Sequence, residues 1–324
     1  MIKVAVLDDY QRVALRMADW SALAGRAEVQ VFDRNLAVPD EAAAALADYE
    51  VVCLMRERMA FPRALFERLP DLRLIVLTGM RSPSLDLGAA ADRGVLVCHT
   101  RGGGTEHSTT ELAWGLVLAC ARRIAREDRV MHEGGWQSTI GTMLHGKTLG
   151  LLGLGRLGGR MAALGQAFGM EVIAWSENLT PSRAAEAGAE RVEKEELFRR
   201  SDVVSIHLVL GERTRGLVGA GEIGLMKPSA FLVNTSRGPI VDETALVEAL
   251  RTGRIAGAGL DVYDREPLPP DHPLRHLDNT VLTPHLGYVT EETYRVFFAD
   301  MVEDIAAYLD GRPIRVLTSP GAPR

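Results

Sequence analysis

Apolar residues in this chain fall into short, nearly continuous runs, separated by stretches with helical spacing. The first third holds runs at residues 2–7, 28–32, 51–55, 74–78 and 95–98. Six more follow at Thr148–Leu152, Glu171–Trp175, 203–208, 230–234, 257–262 and 280–283. Runs that are apolar at nearly every position read as parallel strands covered on both faces. Helical patterns lie between them, for example at Pro39–Leu46 and 62–69. Two such sets predict an α/β fold with two doubly wound parallel-sheet domains.

The join is expected near Arg101-Gly102-Gly103-Gly104, a run too flexible for the inside of an element. A long helix over residues 106–132 should follow, ended by Gly134-Gly135. The last helix, Glu291–Leu309, comes after the final strand and is placed to cross back to the first domain. The expected division is residues 1–101 with 290–324, and residues 102–289 between them. The tail, residues 319–324, carries two prolines and a glycine and is expected to be disordered.

Composition narrows the class. Acidic residues outnumber basic ones, 43 to 37, for a net charge of −6. That balance argues against a nucleic-acid-binding protein. The cysteines Cys53, Cys98 and Cys120 sit inside apolar runs, far apart, and form neither a disulfide framework nor a metal site. The N-terminal apolar stretch is too short for a signal peptide, and acids follow it. The longest apolar run, residues 112–121, is well short of the roughly 20 residues needed to span a bilayer. A reduced, cytoplasmic protein with no membrane partner is expected. Glycine is in excess, 32 of 324 residues, nearly 10% against an average of about 7%.

Eight of those glycines fall between Gly146 and Gly169, among them Gly153-Leu154-Gly155-Arg156-Leu157-Gly158. A strand precedes this GxGxxG. An apolar helical stripe (Leu157, Met161, Leu164, Phe168) and a second strand follow it. In that βαβ context the glycines have separate uses. Gly153 permits the tight turn, Gly155 lets backbone approach a pyrophosphate, and Gly158 lets helix and strand pack closely. The helix N-terminus presents free N–H groups to the phosphates. At the ribose position the chain has Ser176, which would not repel a 2′-phosphate; Glu177, the next residue, would, and no Arg comes before Arg183. The reading leans towards NAD and leaves NADP open.

Three segments follow strands of the second half and carry an Arg, an acid and a His: Arg237 in Asn234-Thr235-Ser236-Arg237-Gly238, Glu266 after Asp261-Val262-Tyr263, and His285 in Thr283-Pro284-His285. Ligands of doubly wound sheets bind outside the carboxyl ends of strands. A guanidinium there can clamp a carboxylate, an imidazole can exchange a proton with a carbonyl or alcohol, and an acid can orient the imidazole. Singly, each has a more ordinary reading: a structural His, a solvated loop Glu before Pro, a surface Arg after a strand. Together, downstream of a dinucleotide motif, they suggest hydride transfer.

At these residues the chain resembles the D-isomer-specific 2-hydroxyacid dehydrogenases over nearly its whole length. The resemblance rests on the glycine motif, His207-Leu208-Val209-Leu210 with Thr214, Asn234 to Gly238, Gly259-Leu260-Asp261-Val262, Glu266-Pro267 and Thr283-Pro284-His285. It implies a Rossmann cofactor domain inserted into a discontinuous, flavodoxin-like substrate domain. It also implies substrate-binding, orienting and acid/base roles for Arg237, Glu266 and His285. Asp261 would bond the nicotinamide carboxamide, Thr235 would lie near the cofactor ring, and Arg156 and Leu157 would cradle the pyrophosphate. Family members are commonly homodimers through the cofactor domain. The apolar residues of the 106–132 helix would supply such an interface, although a buried intramolecular helix would look the same.

Two departures stand out. Val209 replaces the usual Pro. The substrate loop, usually Gly-x-Gly, reads Gly79-Met80-Arg81. Arg81 could bring a cation to the substrate, and Arg56 matches a position where relatives acting on phosphorylated substrates carry Arg. Either is expected to contact a second acidic group, or else to pair with surface acids such as Glu57. The resulting expectation is an NAD(P)-dependent oxidoreductase that interconverts a small 2-oxoacid and its D-2-hydroxyacid. Glyoxylate, hydroxypyruvate and phosphohydroxypyruvate are candidates. The alternatives are a nucleotide-sensing binding protein on the same fold and a dehydrogenase of amino acids.

Overall fold

The computed structural model describes residues 1–80 and 82–318; Arg81 and the tail, residues 319–324, lie outside the described residues. The chain forms two compact units. One is Met1–Gly104 with the segment from Thr290 onward, and the other is Thr105–Val289.

In the first unit the strands are β1 (Ile2–Val6), β2 (Ala27–Val31), β3 (Val51–Leu54), β4 (Leu74–Leu77) and β5 (Leu96–His99). In the second they are β6 (Thr148–Leu152), β7 (Glu171–Trp175), β8 (Glu190–Arg191), β9 (Val203–Ile206), β10 (Phe231–Asn234), β11 (Gly257–Leu260) and β12 (Thr280–Leu282). The chain then returns to the first unit with β13 (Val316–Thr318). The sheet orders are β13-β5-β4-β3-β1-β2 and β12-β11-β10-β9-β6-β7-β8. Every pairing is parallel except β13 on β5. Both orders reverse direction at their first strand, giving a switch point between β1 and β3 and another between β6 and β9.

The near-continuous apolar runs are explained by double coverage. In the second unit Leu152, Val204, Leu232 and Ala258 enter one core, while Leu149, Leu151, Val203 and Val233 enter another on the opposite face. In the first unit Val52, Leu54, Ile75 and Leu77 fill one face. The Glu291–Leu309 helix packs on β4 and β5 through buried side chains that include Phe297, Phe298, Met301 and Ile305. All three cysteines are buried and free. Burial pushes the thiols of Cys98 and Cys120 up to about 12, which makes them poor nucleophiles.

The structure corrects the expected 106–132 helix. There are two helices, Thr105–Arg122 and Ile124–His132, broken at Arg123 by a left-handed φ of 56°. The break lets the first helix stay in the core, with Trp114, Leu116, Val117 and Cys120 buried, while the second has no buried residue. Arg123 is fixed at the corner by a hydrogen bond from its guanidinium to Ala256 O, 3.4 Å, and lies over the Phe231 ring. The short strands β8 and β13 were not anticipated.

Candidate active site

The glycine motif sits where the sheet reverses. Gly153 follows β6 with φ 98°, and a Cβ there would lie 2.6 Å from His207 O, just past β9. A Cβ on Gly158 would lie 2.1 Å from Gly153 O, so only glycine lets the Arg156–Ala167 helix start this close to the turn. Around Gly155 there is open space within 4 Å, and no side chain among the described residues caps the helix end. Thr235, at the end of β10, is 7% exposed, and its hydroxyl has no hydrogen-bond partner among the described residues. Uncapped N–H groups, an open glycine and an unpaired buried hydroxyl fit a dinucleotide phosphate and its attached ring. Ser176 lies one residue beyond β7, half-buried. Thr214 serves its own turn, accepting from Gly211 N at 2.8 Å and donating to Val209 O at 2.7 Å.

β10, β11 and β12 are neighbours in the sheet, so the loops that follow them start about 4.8 Å apart. Asn234, 1% exposed, staples the first loop: its side chain donates to Arg237 O and accepts from Ser236 N, both at 3.0 Å. The Arg237 guanidinium donates to Ser236 O at 2.7 Å. Gly238 then lets this loop press on the next, since a Cβ there would meet the Tyr263 carbonyl carbon at 2.1 Å.

From the second loop Glu266 takes the Tyr263 backbone N–H on one oxygen, 2.9 Å, and His285 Nδ1 on the other, 2.6 Å. Charge-assisted contacts of this length are strong and directional. They assign the proton on Nδ1 to Glu266 and leave Nε2 as the nitrogen that can exchange a proton with a ligand.

His285 itself has a left-handed φ of 54°, a conformation that L-residues adopt at a cost. Asp261, fully buried, holds the turn in that shape. Its carboxylate accepts from Thr283 Oγ1 at 2.6 Å, Leu286 N at 2.7 Å and Gly287 N at 3.0 Å, and its carbonyl accepts from His285 N at 2.8 Å. The family resemblance implies a ligand-facing role for Asp261, and nothing in the sequence hints at this scaffolding. In the first unit Arg56 follows β3 with φ 53° and lies against Gly79, which is why a Cβ on Gly79 would meet its guanidinium at 2.1 Å. Met80 is 62% exposed.

A family model described as D-isomer specific 2-hydroxyacid dehydrogenase, NAD binding domain, matches residues 114–287. Glyoxylate reductase of Aeropyrum pernix is 42% identical over 257 residues, 76% of each chain. The chain belongs to the D-isomer-specific 2-hydroxyacid dehydrogenase family. Hydroxypyruvate reductase of Blautia hydrogenotrophica is 32% identical across 98% of this chain and 99% of its own. The crystal structure of phosphoglycerate oxidoreductase from Vibrio cholerae O395 superposes with a TM-score of 0.90 at 35% identity, covering 96% of this chain and 100% of that one. The protein is thus an NAD(P)-binding oxidoreductase of two parallel-sheet α/β domains.

Beneath the glycine turn, His207 bonds the Ser205 hydroxyl through Nε2 at 2.8 Å, and its Nδ1 is buried without a partner among the described residues. Burial pushes this imidazole down to about 4. The unfolded chain takes up a proton on the ring near pH 6.5, and the folded chain resists it. Stability should therefore fall as pH drops from 6.5 towards 4, by up to about 3 kcal/mol from this group. In urea unfolding across that range, His207→Asn should flatten the slope; an unchanged slope would place its origin elsewhere.

Proposed function

We propose that this protein interconverts a small 2-oxoacid and its D-2-hydroxyacid, with Arg237, Glu266 and His285 as its working side chains. The observation that carries this reading is the 2.6 Å contact of His285 with Glu266, one sheet neighbour away from Arg237. When bound, the nicotinamide supplies or accepts the two electrons and the hydrogen at the carbonyl carbon. Arg237 binds the substrate carboxylate and draws charge towards the carbonyl oxygen. His285 Nε2 gives its proton to that oxygen as the alcohol forms, and takes it back in the reverse direction. Glu266 holds the ring in position and stabilises its charged form while Nδ1 keeps its proton. The half-buried pair, with side-chain exposures of 19% and 33%, is screened from water only in part, so the acid can be replenished.

Relatives named for glyoxylate and hydroxypyruvate make these two-carbon and three-carbon 2-oxoacids the first substrates to test. Arg56, Gly79 and Met80 are the described candidates for substrate contact in the first unit, and the buried thiols suit a reducing, cytoplasmic setting. Initial rates with NADH and NADPH against a panel of 2-oxoacids should show turnover with at least one. The His285→Ala protein should lose at least a hundredfold in kcat, on the order of general acid catalysis. Cofactor binding without turnover on any 2-oxoacid would favour a nucleotide-sensing role instead.

A homodimer is part of this reading. Trp136, Ile140 and Met143 are 74%, 95% and 72% exposed in the segment after the Ile124–His132 helix, where Ile124 and Met131 are also exposed. Apolar groups this exposed and this close in sequence would suit a subunit interface. Light scattering should give twice the chain mass, and Trp136→Asp with Ile140→Asp should shift it towards the monomer. A parent protein monomeric at micromolar concentration would refute the dimer.

A further inference from the structure

The loop that carries Glu266 is itself held from outside by two residues that the mechanism above does not use. Glu243 opens the Glu243–Arg251 helix, and its carboxylate bridges two partners. One oxygen accepts from the Asp264 backbone N–H at 3.3 Å, and the other accepts from His272 Nε2 at 2.9 Å. The two side chains are only 21% and 17% exposed. His272 caps the Pro273–His276 turn, accepting from Leu274 N through Nδ1 at 3.3 Å. An Nδ1 that accepts must be bare, so the ring proton sits on Nε2 and points at Glu243. Arg275, in the same turn, donates to Pro269 O and Leu268 O at 2.9 and 2.8 Å and ties down the far end of the loop. Glu266 lies on the backbone between these ties, and it accepts the N–H of Tyr263, the residue just before the first of them.

We propose that Glu243 and His272 form a positioning pair that fixes the loop of residues 263–267, and through it the Glu266 carboxylate, against His285. The proposal rests on the acid/base reading of His285 and Glu266. Neither member of the pair touches substrate, cofactor or reacting atoms. Loosening them lets Glu266 swing away from His285, so the charged imidazole that reduction needs is less well stabilised. His285 is also faced by Asp261, and its ring meets Tyr288 edge-on at 5.6 Å. Glu243 shares its neighbourhood with Asp264, Asp242 and Arg215. The pair leaves all of these contacts in place, so the effect is read through Glu266.

His272→Asn separates the two jobs of the ring, because asparagine can still cap Leu274 N but is too short to reach Glu243. The expected result is a fall in kcat of about tenfold, the worth of one oriented hydrogen bond. The loss should fall on kcat, while KM for the 2-oxoacid and the Kd for NADH, read by fluorescence, stay as in the parent. Glu243→Gln should reproduce this, and it serves where His272→Asn does not fold. In a Glu266→Gln background His272→Asn should add nothing. Full kcat in both variants, or a loss that falls on KM instead, overturns the proposal, as does an equal further loss in the Glu266→Gln background. A His285→Ala protein with undiminished turnover would instead overturn the acid/base reading on which the proposal stands.

Discussion

The carboxylate of Asp261 accepts three hydrogen bonds from the turn that carries His285, and it does so fully buried at the end of β11. A buried carboxylate is tolerated only when its oxygens are satisfied. Here the donors come from the very segment that must adopt an unfavourable backbone shape. A left-handed non-glycine residue costs about 1–3 kcal/mol, and it persists only where its surroundings over-determine it. Asp261 supplies that constraint. With the turn fixed, His285 faces Glu266, and Glu266 can be reached by the Tyr263 N–H. The Tyr263 hydroxyl closes the arrangement by donating towards Thr283 O, at the root of the same turn.

The sheet makes the rest geometric. Parallel strands in the order β10, β11, β12 deliver three consecutive loops to one edge, so an Arg, a Glu and a His far apart in sequence arrive as neighbours. The same edge holds the glycine turn, because β6 and β9 flank the point where strand order reverses. Gly153 and Gly158 meet His207 and each other there through close backbone approaches that a Cβ would block, while Gly155 leaves open space. A dinucleotide motif and a hydrogen-bonded His–Glu pair are thus brought to one end of one sheet by topology.

Much of this was legible in the chain. Doubly covered strands announce themselves as unbroken apolar runs, and Glu171–Trp175, Thr148–Leu152 and the Glu291–Leu309 helix appear with the bounds their patterns imply. The glycine motif and the three post-strand residues stood out because chemistry and spacing agreed. What stayed hidden depends on partners distant in sequence. Nothing near Glu243 shows that His272 will reach it, and nothing near Asp261 shows the three donors that its carboxylate takes from the turn after β12. The break at Arg123 was masked by helix formers on both sides. β13 has three residues, too few for any period to show.

The most direct measurement is kcat for reduction, with the Kd for NADH beside it, in a Glu266→Gln protein and the parent. Gln keeps the shape of the side chain and removes the charge facing His285. If this pair is the proton-transfer device, kcat drops by at least tenfold while the Kd for NADH stays as in the parent. A Glu266→Gln protein whose kcat matches the parent's would contradict it.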